Sequence, residues 1–124
     1  EGKDVILIDD MISSGKSILE IASLLKKRGA GKIFICTTFG LFTEGMEKFD
    51  EAYQNGIFDK LLTTNLVYQT PELLSKPYYI TCDMSKYIAL IIDTLNHDMS
   101  VSHLLNPADR IKRCVNNYMA QYEK

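Results

Sequence analysis

The first forty residues admit few folds. Val5-Ile6-Leu7-Ile8 is an unbroken aliphatic run, and Ile33 to Phe39 (I-F-I-C-T-T-F) is a second run rich in β-branched and aromatic side chains. Continuous runs of this kind suit parallel strands covered on both faces, because they leave no polar side for solvent. Between them Ile18, Ile21, Ala22 and Leu25 recur at helical spacing. Lys26, Lys27 and Arg28 complement the negative end of the helix dipole, and Gly29 supplies a stop. Parallel neighbours need a long crossover, nearly always a right-handed helical one. The expected unit is βαβ, and the expected fold class is α/β with a parallel sheet and flanking helices.

The rest of the chain continues the alternation. Thr43 is expected to cap a helix carrying Met46, Phe49, Ala52 and Tyr53 on one face, closed by Asn55-Gly56. Lys60 to Leu66 reads as a third strand. Thr70-Pro71-Glu72 combines a cap residue, a proline at the first helical position and a first-turn acid, so a short helix should run until Pro77 stops it. Tyr78 to Cys82 reads as a fourth strand. Asp83 should then cap a helix through Tyr87, Ile88, Ile91, Ile92 and Leu95, apolar on so many sides that it is expected to lie under a sheet or a partner chain. Asn106-Pro107 opens a last helix, whose stripe of Ile111, Val115, Tyr118, Met119 and Tyr122 is expected to serve packing. No internal repeat interrupts this order.

Composition excludes several classes of function. A length of 124 residues bounds the chain to one domain, expected to span residues 1–124. With 14 Lys and Arg against 16 Asp and Glu, the net charge is -2. Beyond Lys26-Lys27-Arg28 no basic stripe exists, so no nucleic-acid partner is expected. Apolar stretches such as Ile88 to Ile92 fall far short of the roughly 20 residues that span a bilayer, so no membrane partner is expected either. Glu1 stands where a Met would start a chain, and the first strand follows at once; the expectation is a piece of a longer protein. Cys36, Cys82 and Cys114 are odd in number and lack C-x-x-C spacing, which points to free thiols as core filler and to a cytoplasmic location. His97 and His103 have no neighbouring ligands for zinc.

The chemistry-bearing segment is Asp9-Asp10-Met11-Ile12-Ser13-Ser14-Gly15-Lys16-Ser17. It joins the carboxyl end of a strand to a helix amino terminus, where open α/β sheets bind ligands. Backbone N–H groups from Ser13 to Ser17 have no intrahelical partners and carry the positive end of the helix dipole, which suits a phosphate. Ser13, Ser14 and Ser17 add hydroxyl donors, Gly15 allows close backbone approach, and Lys16 adds charge. Asp9 and Asp10, just upstream, can accept hydrogen bonds from vicinal hydroxyls or hold a cation. Phosphate plus diol describes a sugar phosphate. Gly15-Lys16-Ser17 imitates the end of a Walker A loop, but that motif needs a glycine where Asp10 stands, so it is rejected. The residues alone leave open a loop that merely turns the chain and caps a helix.

Residues 5–17 closely resemble the phosphoribosyl diphosphate motif of type I phosphoribosyltransferases: aliphatic strand, two acids, small loop, then Ser or Thr. Thr38-Phe39-Gly40-Leu41-Phe42, Leu62-Thr63-Thr64-Asn65, Thr70-Pro71, the Met84 to Leu95 helix and Ser100-Val101-Ser102-His103-Leu104-Leu105 resemble, in order, the C-terminal half of the ribose-phosphate pyrophosphokinase family. The resemblance implies a phosphoribosyltransferase-like, Rossmann-like domain. It implies a transferase that moves diphosphate from ATP to ribose 5-phosphate with Mg²⁺, giving phosphoribosyl diphosphate and AMP, and that assembles as homodimers or hexamers. It places Asp9 and Asp10 at the ribose, with a metal reached through bound substrate, and Ser13, Ser14, Gly15, Lys16 and Ser17 around the 5-phosphate. It sets Ser100 and Ser102 where relatives bind the phosphates of an inhibitory nucleotide, although Ser-x-Ser before Leu-Leu reads more readily as a plain helix entry. It implies no catalytic residue in this segment, since the ATP pocket, metal ligands and catalytic Lys and Arg lie N-terminal to the matched half. Lys16 and Phe39 depart from the family pattern, Phe39 standing where a histidine is common. Two other readings share these residues: a base phosphoribosyltransferase, and a non-catalytic regulatory or assembly module.

Overall fold

In the computed structural model, β1 (Val5–Ile12), α1 (Lys16–Lys27) and β2 (Ile33–Gly40) form the expected βαβ unit. Residues 2–122 are described; Glu1, Glu123, Lys124 and the side chains of His103 and Leu105 lie outside the described residues. The alternation continues with α2 (Glu47–Gln54), β3 (Lys60–Thr64), α3 (Pro71–Ser75) and β4 (Tyr79–Cys82). The four strands form one parallel sheet in the order β1-β2-β3-β4, with Leu7 opposite Ile35, Ile35 opposite Leu61 and Leu61 opposite Tyr79. Each right-handed crossover that advances in the same direction lays its helix on the same face.

That sequential order explains where the core lies. Ile33, Ile35 and Leu61 point to the helical side and meet Ala22 of α1, Phe49 of α2 and Leu73 of α3 in one buried cluster. The opposite pleat of β1 is not covered. Ile6 is 62% exposed and Ile8 82%, so the expectation of a strand buried on both faces fails for β1. The reason is topological: β1 is an edge strand, and α1 to α3 serve one face.

Aromatic rings fill the space under α2. Phe49 meets Phe58 edge to face, and Phe58 meets Tyr78 in the same way. The Tyr78 hydroxyl donates to Asp50 Oδ1 at 2.7 Å, and Lys76 Nζ bridges Asp50 at 2.6 Å and Glu72 at 3.2 Å. Burial, then the Asp50 contact, pushes the Tyr78 phenol well up from its ordinary value, so it stays a donor. Partial burial opposes ionisation of Asp50, but hydrogen bonds from Lys76 and Tyr78 outweigh it and hold the carboxyl below the usual range.

Local signals held unevenly. Thr70 caps α3 as its sequence predicts, accepting from Leu73 N–H at 3.1 Å. Thr43 does not cap α2, which starts four residues later at Glu47 behind Met46. β3 ends at Thr64, short of Leu66, because the Thr64 hydroxyl accepts from Leu66 N–H and donates to Thr38 O at 2.6 Å, turning the chain. Cys36 is half-buried, but Cys82 and Cys114 are exposed and fill no core. Burial, then the neighbouring Cys82, raises the Cys36 thiol, which is therefore no activated nucleophile.

The chain divides into two compact units, residues 1–84 and 85–124. The second holds α4 (Ser85–Asn96), α5 (Ser102–Leu105) and α6 (Ala108–Tyr122). Inside it, the Tyr87 hydroxyl donates to Leu104 O at 2.9 Å and Arg110 lies 5.5 Å from the centre of the Tyr87 ring. On α4, Ile92 and Leu95 are 54% and 58% exposed in the single chain. The α6 stripe, expected to pack, is likewise exposed from Ile111 to Tyr122, because periodicity identifies an apolar face without supplying its neighbour. Among the described residues, no helix is long and apolar enough to cross a membrane.

Candidate functional site

The site grows out of the end of β1. The strand runs on to Ile12, pairing Asp9 with Thr37 and Met11 with Phe39, so the two acids lie within the strand rather than at its end. Successive side chains of a strand alternate between faces. Asp9 and Asp10 therefore diverge, both exposed, with the Asp10 N–H donating to Asp9 Oδ1 at 2.8 Å. Buried Ile12 anchors the strand's last residue, and the chain bends at Ser13 and Ser14 into α1.

Gly15 makes that bend possible. It stands at the helix N-cap with φ 79°, and a side chain there would strike Cζ and Cε2 of the buried Phe49. The first ladder bond of α1 runs from Leu19 N–H to Gly15 O at 3.1 Å, so the amides ahead of Leu19 lie outside the helix's own ladder. Lys16 N–H makes a long contact of 3.4 Å to Ser14 Oγ. A cavity of 180 Å³ lies at the loop, lined by Asp9, by Ser13 to Ser17 and by the apolar Met11, Ile12 and Ile18. This is smaller than the roughly 300–1,000 Å³ of drug-sized pockets and suits a small anion.

The structure thus gathers Asp9, Ser13, Ser14, Gly15, Lys16 and Ser17 around one cavity; Asp10 is not among its walls. Ser100 and Ser102 belong to the second unit, where their hydroxyls bond each other at 2.8 Å and Ser102 N–H donates to Ser100 Oγ, a local turn at the start of α5. A larger open cleft of 740 Å³ runs between α1 and α2 over Leu19, Leu24, Ala52 and Ile57, with lysines and glutamates mixed on its rim. It lacks converging donors, so volume does not mark the site.

Three contributors escaped the sequence reading. Thr43 N–H donates to Ser13 O at 3.1 Å, the two hydroxyls lie 3.2 Å apart, and Leu41 N–H donates to Ile12 O at 2.9 Å, so the loop after β2 braces the loop after β1. Phe42, at φ 47°, meets Phe49 edge to face at 5.3 Å. Asn65 donates to Asp83 Oδ1 and accepts from Met84 N–H, both at 2.8 Å, tying the ends of β3 and β4. The Gly40-to-Gly45 spacing around Phe42 was the one local signal for the second loop.

Among the described residues, no three His, Cys, Asp or Glu side chains converge as a metal cage. Because they diverge, Asp9 or Asp10 would supply a single carboxylate to a Mg²⁺ whose other ligands would be water and substrate phosphate, an arrangement usual for that ion.

Residues 1–106 match the profile of the phosphoribosyl synthetase-associated domain. The chain belongs to this family. Curated relatives of this phosphoribosyl synthetase-associated domain include ribose-phosphate pyrophosphokinase of Vibrio parahaemolyticus, 26% identical over 106 residues, and that of Shewanella oneidensis, 29% identical over the same length. Both alignments cover 86% of this chain and 33% of the relative. The chloroplastic ribose-phosphate pyrophosphokinase 2 of Oryza sativa is 32% identical over 104 residues, covering 84% of this chain and 25% of the relative. The chain thus spans about a third of the length of the curated relatives it matches first. Phosphoribosylpyrophosphate synthetase from Mycobacterium smegmatis superposes with a TM-score of 0.69 at 23% identity, covering 79% of this chain and 32% of that one. The superposed part of the chain therefore has the α/β parallel-sheet fold of that synthetase, as the sequence implied. α6 lies beyond the matched residues.

Proposed function

We propose that this domain is the ribose 5-phosphate binding part of a ribose-phosphate diphosphokinase, an enzyme that moves the β,γ-diphosphoryl group of ATP to the anomeric hydroxyl of ribose 5-phosphate and releases AMP. The observation that carries the reading is one cavity lined by both Asp9 and the Ser13–Ser17 loop. The loop amides and hydroxyls hold the 5-phosphate, and Lys16 adds charge from the exposed rim. Asp9 accepts from the ring hydroxyls. Holding both ends of the sugar fixes the anomeric oxygen for attack on ATP, so these residues contribute orientation rather than proton transfer. Asp9 would help hold a substrate-bound Mg²⁺, which would supply charge neutralisation for the diphosphoryl group. The groups that activate ATP are assigned to sequence outside this chain, which on its own is expected to bind without turnover. The family names of its relatives support the synthase over a base phosphoribosyltransferase. Homo-oligomeric assembly and a cytoplasmic location belong to the same proposal.

Isothermal calorimetry tests it. Ribose 5-phosphate is expected to give heat, weakly because one domain orders only part of the ligand. Silence for both ribose 5-phosphate and inorganic phosphate overturns the assignment.

A further inference from the structure

We infer that Phe49 is a positioning residue for the phosphate loop, acting through Gly15; the inference rests on the sugar-phosphate reading of that loop. Phe49 is fully buried on α2, remote in sequence from the loop it supports. Its ring edge occupies the volume that a side chain at residue 15 would fill, and the nearest atoms to that volume are all its own. The ring is held from two sides, by Phe42 edge-on at 5.3 Å and by Phe58 at 6.4 Å, so it has little freedom to withdraw. Phe42 in turn lies in the loop whose Thr43 bonds Ser13. The bend is therefore clamped twice: Phe49 sets the height of Gly15, and Thr43 sets the position of Ser13. On the sugar-phosphate reading, the amides from Gly15 to Ser17 reach the phosphate only while the backbone stays at that height. A flat ring edge supports the glycine without reaching into the cavity, which a branched aliphatic chain does not reproduce.

Structural and positioning roles separate by comparing two residues of the same aromatic cluster. Phe58 is 1% exposed and packs on Phe49, but Gly15 rests on Phe49 alone among its nearest atoms. Phe49→Leu and Phe58→Leu are both expected to lower the melting temperature. Only Phe49→Leu is expected to weaken ribose 5-phosphate and inorganic phosphate, by roughly tenfold, the equivalent of one charge-assisted hydrogen bond at about 1.4 kcal/mol. Binding is measured by calorimetry well below either transition. Phe49→Met, which retains more reach, serves if the leucine variant does not fold, and should lose less affinity. Exchange of the Leu19 and Thr43 amides, which donate to Gly15 O and Ser13 O, is read in parallel without ligand and should accelerate in Phe49→Leu but not in Phe58→Leu. Equal affinity losses in the two variants, or unchanged exchange in Phe49→Leu, overturn the inference. A wild-type chain silent to both anions overturns the sugar-phosphate reading instead, and the exchange comparison still decides the role of Phe49.

Discussion

At the scale of single residues, the cavity makes two separable demands. On the proposed reading, Asp9 receives the sugar and the Ser13–Ser17 loop receives the phosphate, both lining the same cavity. Asp9→Ala is expected to weaken ribose 5-phosphate by about tenfold, the loss of hydrogen bonds to a charged acceptor, while leaving inorganic phosphate unchanged; calorimetry with each ligand checks it. Gly15→Val meets both a left-handed backbone and the Phe49 ring. Strain of about 1–2 kcal/mol plus overpacking of about 1–3 kcal/mol should lower the denaturant midpoint and abolish phosphate heat. The letters of this loop were legible because a strand, acids, small residues and a glycine stand in one contiguous run. Thr43 was not legible: its bond to Ser13 spans thirty positions of sequence, and its local context reads as a helix cap. Asp10 does not line the cavity, for a different reason: adjacent side chains in a strand point apart.

At the scale of elements, Asp50, Lys76 and Tyr78 tie α2 to α3 and β4. Asp50→Ala strands the hydroxyl of Tyr78, a 1% exposed residue, and should cost about 1–3 kcal/mol in urea unfolding. The pH dependence follows from the depressed Asp50 carboxyl. Its stabilisation is complete above the unfolded value of about 4 and is lost as pH falls through the lower folded value. Unfolding midpoints between about pH 2 and 6 should therefore fall less steeply in Asp50→Ala than in the parent. Lys76 works the other way: its ammonium is raised, first by Asp50, so its share persists below about pH 10.4 and fades above the folded value. The order of elements was legible from periodicity and punctuation almost throughout. Their burial was not, because a periodic apolar face tells which side seeks cover and nothing of what lies there. Ile8 on β1, Ile92 on α4 and Val115 on α6 all show this.

At the scale of the whole molecule, a net charge of -2 gives no attraction for an anion at long range. Binding must come from groups within hydrogen-bonding distance, which salt screens little. Affinity for ribose 5-phosphate is expected to change by less than about threefold between 50 and 200 mM salt, read by calorimetry at fixed pH. A steeper fall points to a diffuse basic surface instead. Light scattering should find more than the monomer mass at high protein concentration, in keeping with the exposed stripes of α4 and α6.

The edge position of β1 has a consequence for solubility. Val5 to Ile8 is the kind of short apolar strand that recruits other chains, with Ile6 and Ile8 in the open and one row of backbone groups unpaired. Charges bracket it on both sides: Lys3 and Asp4 before, Asp9 and Asp10 after. Gatekeepers are placed this way around hydrophobic strands that cannot be avoided, because stacking copies in register would stack like charges. Asp9, proposed to receive the sugar, and its neighbour Asp10 are thus also expected to keep the strand from joining its own kind. A variant lacking both should be found in the pellet as well as failing to bind, and any loss of function in it must be read only from the protein that stays in solution.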